Sequence, residues 1–488
     1  YVAAISQATT GGGEVDIATD GSFTYIPAVG FYGTDTFTVT IQETGGPART
    51  ETVTIEVVPD LIPLAHDQNT DATWETAANW GGALPTALNL ATLDAGAASS
   101  VTLASDAGTV GSLDMTDTGL TMNAVGSALV VAGDTTLGSG ETIDLSSTAS
   151  LTLNDADLQG DVSIQGTSTL TIDGNAQTSV ASLLTLNSSG ASLGGSGTFN
   201  YQGATFTWNS GTIDIADMDV TGAATVNLSS SSTKVLDGTT LDLADSGTQF
   251  TYSGSGFQLT NDAAINVTSN ATLILEGSNT LDAGVGSANV LHIGTGGVLA
   301  RSTSGTSTID VVTNLDAGGT IDIDTGFMNF TGGGAINGTI DVAGGTIATL
   351  QGGGTWTTGA STDLAGMGSI LLNGSTTNLD VNGPLTVDAG LTFTHTTGIV
   401  TIGSGNLMSV LGDYDWSNGT IAGLGTYTVG ANGTLTLLSS GTKTLDGITF
   451  NVSGAGAEMT YGSGAAGLHF AGGTLMTVDS GGTLCNAA

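Results

Sequence analysis

Three close carboxylate pairs are the residues of this chain best spaced for chemistry: Asp155 with Asp157, Asp322 with Asp324, and Asp413 with Asp415. Two carboxylates facing one sugar are what glycoside hydrolysis requires. Here the neighbours Ile321, Ile323 and Tyr414 alternate with the acids, as in TIDID at 320–324. Period-two alternation turns the acids of each pair to the outward face of a strand and favours solvated pairs over catalytic ones. Proton abstraction beside a uronate carboxylate needs instead a cation, as base or to hold the developing charge. The chain has four cations: Arg49, Lys234, Arg301 and Lys443. Lys234 and Lys443 recur in the same words, TKVLDG and TKTLDG. Repetition marks them as structural, with Asp237 and Asp446 as the expected partners. Arg49 belongs to a separate N-terminal module, and Arg301 alone is thin support for a lyase.

The remaining chemical signals are sparse. His66, His292, His395 and His469 have no zinc-ligand spacing. Calcium-binding G-G-x-G-x-D repeats are absent, since GGSGTF and GGGAING lack the Asp. No phosphate loop, G-x-S-x-G elbow or Cys–His arrangement is present. Cys485 is the only cysteine, so no disulfide closes within the chain. It reads as a small buried hydrophobe. N-x-[ST] triplets, as at Asn187, Asn266, Asn337, Asn418 and Asn432, follow from an Asn- and Thr-rich composition. The sequence therefore assigns no catalytic residue and no cofactor-binding residue. It leaves metal ligands unassigned, with calcium between neighbouring coils or subunits the one cofactor kept open.

A formal charge of −40 rules against nucleic acid and anionic membrane surfaces as partners, because nothing is present to neutralise phosphates. No apolar run is long enough to span a bilayer, so membrane insertion is not expected. The acids read as a solvated exterior. Glycine, with 77 copies, punctuates short apolar runs that make up a regular 39% of the chain, unlike a disordered composition.

Those runs define the elements. From about residue 90, apolar-alternating triplets or quartets recur every seven or eight residues: VSI at 162–164, LTI at 170–172, TIDI at 212–215, TLDL at 240–243, AINV at 264–267. Three such strands make a coil of roughly 22 residues, the size expected for a parallel β-helix. About 400 residues then give roughly 18 coils and a rod on the order of 90 Å long. Residues 1–58 instead alternate as longer strands, SFTY, TFTVTI and TVTIEVV, with turns at Gly11–Gly13, Asp20–Gly21 and Gly45–Pro47. That is the pattern of antiparallel strands with one buried face. Five of six prolines fall before residue 86, which marks a boundary. The expected fold is all-β: a right-handed parallel β-helix at 73–488, capped at 73–90, joined by an extended linker at 59–72 to a partial Ig-like sandwich at 1–58.

A longer repeat overlies the coils. Residues 206–256 match 414–464, with Trp208 answering Trp416, Ile213 answering Ile421, Lys234 answering Lys443 and Tyr252 answering Tyr461. A weaker third copy begins at Trp356, where LAGMGS echoes IAGLGT at 421–426. Equivalent positions about nine coils apart are expected, with the indoles turned inward.

Three resemblances follow from these residues. The run from Asp20 to Tyr25, followed by Pro27, Gly30, Phe31, Gly33, Asp35 and Phe37, resembles the Ig-like or cadherin-like modules of large bacterial surface proteins. Trp74, Trp80 and Pro85 are similar to the segment that opens β-helical regions in bacterial exoproteins. The long repeat resembles the units of bacterial β-strand-repeat surface proteins. These resemblances imply an extracellular or cell-surface protein and no enzymatic activity.

The chain reads as a piece of a longer secreted protein. It starts inside an Ig-like module and stops mid-repeat at GGTLCNAA, and open edges at both places favour head-to-tail contact between copies. The expected function is thus structural: a surface filament or fibre, a homopolymer joined end to end or by strand donation. The alternative is a rod-like adhesin that binds surface glycans or protein, and the third reading is a polysaccharide-active β-helix enzyme.

Overall fold

The computed structural model describes residues 5–28, 31, 33–42, 46–57, 61–66, 72–93, 100–116 and 119–486. The chain is all-β, and its one helical element among the described residues is a 3-10 turn at Ala77–Trp80.

The N-terminal region holds two antiparallel sheets. β1 (Ile5–Ala8), β2 (Glu14–Ile17) and β3 (Phe23–Ile26) form one, and β4 (Gly33–Gln42) pairs with β5 (Ala48–Val57) in the other. Alternation in β2 turns Val15 and Ile17 onto Phe37 in a small core. Phe23 meets Phe37 edge to face at 5.3 Å. Asp35 ties the two sheets together. Its buried carboxylate accepts hydrogen bonds from the Thr9 and Thr10 hydroxyls, the Gly11 amide and the Tyr25 hydroxyl. Burial alone would raise its pKa, but these donors outweigh it and hold the carboxyl well below its ordinary value. The G-x-D-x-F spacing thus has a cause: Asp35 and Phe37, two apart on β4, both turn into the same core.

From Ile62 onward, 49 strands form one parallel sheet system that winds into three faces over about 18 turns. The first face begins with β6 (Ile62–His66), Asn89–Leu93 and Ser112–Met115. The second begins with Ser100–Leu103 and Thr121–Val125, and the third with Gly108–Val110 and Leu129–Val131. Four-residue strands with alternate residues buried recur throughout. Inward residues stack in register, as in Val220, Leu243, Val267, Ile293 and Leu315 on the first face. Each fully buried aliphatic side chain contributes about 1.5–3 kcal/mol, and the ladder bonds satisfy the strand backbone turn to turn. Corners are tight enough to demand glycine in places. Gly334 sits at φ 141°, and a Cβ there would meet the Thr313 carbonyl oxygen at 1.9 Å.

The start of the solenoid differs from the sequence-based expectation. Residues 62–66, read as linker, add a first rung beneath Asn89–Leu93. His66 turns inward and is fully buried, while Pro63 needs no ladder donor on an edge strand. Two indoles pack beside this first rung. Trp74 and Trp80 are buried and pack edge to face at 4.8 Å, and the Trp80 indole N–H donates to the Trp74 carbonyl at 2.7 Å. His66 adds a second edge contact to Trp80 at 4.9 Å.

The long repeat also departs from expectation in one respect. Trp208 and Trp416 are both fully buried, as the pattern requires. They do not share a face. Trp208 pairs in register with Leu186 on the second face, whereas Trp416 lies between His395 and Leu437 on the third. The whole copy is rotated by one strand: Lys234 stands on the third face and Lys443 on the first. The reason is that most strands on all three faces have the same length and alternation, so a sequence unit fits whichever face it reaches.

Candidate functional site

The outward side of the first face carries an unbroken run of hydrogen-bonding side chains. Its second outward column runs Asp114, Thr136, Asp157, Gln177, Asn200, Asp219, Asp242, Asn266, His292 and Asn314, one residue per turn. Nine of these ten carry a carboxylate, carboxamide or imidazole. The matching column of the second face runs Asn123, Asp144, Ser163, Thr185, Thr207, Asn227 and Thr251 and then turns apolar at Ile274 and Ala300. Strand alternation places each of these groups outward because its neighbours on both sides are stacked in the core.

A groove of about 550 Å³ lies over this column between Asp134 and Asp219. Asp155 and Asp157, the first carboxylate pair singled out in the sequence, line it together with Asn175, Gln177, Thr198 and Asn200. Some of these groups are held by neighbours. Asp155 Oδ1 accepts from the Asn175 amide at 2.8 Å, and Asp157 Oδ2 from the Gln159 side chain at 3.0 Å. The side chains of Asp134, Gln177 and Asp219 make no hydrogen bond among the described residues, so their polar atoms face the groove unengaged. The groove was missed in the sequence because its members sit about one coil apart, and the register that aligns them depends on corner lengths.

At one end of the groove Asp217, Asp219 and Asp242 bring carboxylate oxygens within 4.8 Å of one another. The pKa of Asp219 is raised, first by burial and then by the charges of Asp217 and Asp242; that of Asp217 is raised by burial and by Asp242. Three carboxylates supply fewer than the six to eight oxygens that calcium takes. The neighbouring Asn266 turns its amide N–H onto Asp242 at 2.6 Å, so it donates to the carboxylate and offers no oxygen in that contact.

The other carboxylate pairs stand outward as expected and apart from the groove. Burial raises Asp322, with help from Asp324 and Asp341, and likewise Asp415, with help from Asp413.

The cations are placed differently from the sequence expectation. Lys234 does not pair with Asp237, nor Lys443 with Asp446. Residues three apart in a strand point to opposite sides, so each lysine turns inward while its Asp turns outward. The Lys234 ammonium donates to the carbonyls of Ser230, Ser232 and Ser255 at 2.9, 2.6 and 2.9 Å. Lys443 repeats this with Ser439 and Gly441 at 3.1 and 2.8 Å. Desolvation lowers the Lys234 pKa to about 8. Arg301 is also fully buried, and its guanidinium donates to the Ser307 hydroxyl and the Gly277 carbonyl.

The histidines are scattered, in keeping with their spacing. His292 meets Asp316 at 2.7 Å on the surface. His395 is buried between the Tyr414 hydroxyl and the Gly398 carbonyl, and stacks on Trp416. Its pKa is pushed down to about 4 by burial, so it is neutral. His469 stands exposed on the last strand of the first face. Cys485, expected to be buried, is half-exposed, because register with Thr460 places it on the outward side. Its thiol pKa is raised, first by a hydrogen bond to Glu458.

Comparison with known proteins identifies residues 2–56 as matching the family described as a bacterial Ig domain. No curated protein matches the chain. Among solved structures, the crystal structure of a TibC-catalysed, hyper-glycosylated fragment of TibA is similar at 16% identity and a TM-score of 0.28, covering 81% of this chain and 95% of that one. No helix among the described residues is long and apolar enough to cross a membrane.

Proposed function

We propose that this chain is a structural, non-catalytic rod of a secreted bacterial surface protein, and that such rods join end to end into filaments. The observation that carries the reading is continuity. The three ladders run from the Trp74–Trp80 cap to the last described turn without an inserted domain, and one core cluster extends from Trp74 to Met459. A stack of this kind resists bending because each turn is hydrogen-bonded to the next along every face. The bacterial Ig domain at its start supports a surface location. The absence of catalysis is supported by the use made of the cations: Lys234, Lys443 and Arg301 are enclosed in corners and out of reach of a substrate. Every turn offers its neighbour a full row of N–H and C=O groups above an apolar layer, so the ladder is itself the contact surface for end-on assembly. The charge of −40 opposes sideways clumping.

Sedimentation velocity of the full chain over a wide concentration range, with and without calcium, tests this assembly. Filament formation gives species that grow with concentration and that dissociate on dilution. A single monomeric boundary at all concentrations, in both buffers, contradicts it.

A further inference from the structure

We propose that the groove on the first face binds an extended, uncharged oligosaccharide lying along the rod axis. The inference does not depend on end-to-end assembly. Three observations carry it. The open groove offers about 550 Å³ above the column, room for several sugar rings in a row. Its polar groups repeat once per turn, at about 4.8 Å, which is close to the length of one extended pyranose unit. Asp157, Gln177, Asn200 and Asp219 therefore offer one contact per successive sugar. Asp134, Gln177 and Asp219 are unengaged by the protein, so a ligand does not have to break internal bonds to reach them.

The chemistry selects the ligand class. Carboxylates accept hydrogen bonds from sugar hydroxyls, and carboxamides both donate and accept, so vicinal hydroxyl pairs match the mixture of Asp with Gln and Asn in the column. No Lys or Arg lines the groove, which rules against uronate or sulfated chains. A basic peptide would satisfy the carboxylates but leave the Gln177 and Asn200 amides without use. No aromatic ring lines the groove either, so binding rests on hydrogen bonds without ring stacking, and modest affinity follows. The raised carboxyls of Asp217 and Asp219 fit a site that gains by sharing hydrogen bonds with neutral hydroxyls.

The test is calorimetric titration of the full chain, in EDTA, with hexasaccharides of glucose, mannose and N-acetylglucosamine, and with hexagalacturonate and hexalysine as charged comparators. The expected result is saturable binding of at least one neutral hexasaccharide, weakened about tenfold by the double substitution Gln177→Ala and Asp219→Ala. Asn200→Ala is expected to weaken it too, while Thr185→Ala with Thr207→Ala on the second face leaves it unchanged. Unaltered circular dichroism and melting of the outward-facing variants show that the fold is kept. The proposal is overturned if no neutral hexasaccharide binds, if only a charged comparator binds, or if the groove variants bind as the parent does.

Discussion

Lys234 and Lys443 are cations turned into this core, and both sit where backbone carbonyls converge at a corner. The Lys234 ammonium caps the Ser232 and Ser255 oxygens and adds a second donor to that of Ser230, which also accepts from the Ser255 amide, so the K-x-L-D-G words recur with the turn and not with an acidic partner. Lys234→Met keeps the apolar stem but leaves the Ser232 and Ser255 carbonyls without a donor. We expect a loss of about 1–3 kcal/mol in stability at neutral pH, read from denaturant melts. The pH dependence has a fixed sign. With a folded pKa near 8 and an ordinary value of 10.5, the unfolded chain binds more protons between those values. Stability of the parent therefore rises with pH through that window relative to the variant. An unchanging difference between pH 7 and 10 would show that the ammonium is solvated. His395 obeys the same rule at lower pH, where its neutral form is required: its contribution falls away as pH drops below about 6.5 toward 4. The sequence announced these cations as structural, but not their partners, because a corner carbonyl leaves no mark in the side-chain pattern.

At the scale of the strand, the unit is interchangeable. Trp208 and Trp416 were legible as inward anchors from FTW and YDW, yet their faces were not, since nothing in a four-residue strand says which side of a triangular coil it forms. Corners carry that information, and glycine fixes some of them. Gly334→Ala forces a left-handed backbone angle and drives Cβ into the Thr313 carbonyl; Gly345→Ala, at φ 87°, has the same sign of φ but open space around it. Strain alone costs about 1–3 kcal/mol. The Gly334 variant is expected to lose clearly more stability than the Gly345 variant. Equal losses in thermal melts would mean that the close approach to the neighbouring turn is not what selects glycine there. The strand at Ile62–His66 was hidden in a proline-bearing stretch for a related reason: it is an edge rung, where the usual penalty on Pro63 is lifted.

At the scale of the molecule, the fold was readable and the groove was not. Apolar spacing every seven or eight residues reports stacking directly, and the alternating N-terminal strands report an antiparallel module. The groove depends on which outward residues share a column, and that is decided by accumulated corner lengths over several turns. Asp155 and Asp157 were visible as a pair because they lie on one strand; Gln177, Asn200 and Asp219 join them only through register. The central claim is that residues 62–486 form one stiff, uninterrupted rod. Negative-stain electron microscopy of the full chain tests it most directly. The account predicts straight particles of even width whose solenoid measures on the order of 90 Å, as about 18 turns at about 4.8 Å require. Compact globules, or rods with a hinge partway along, would contradict it.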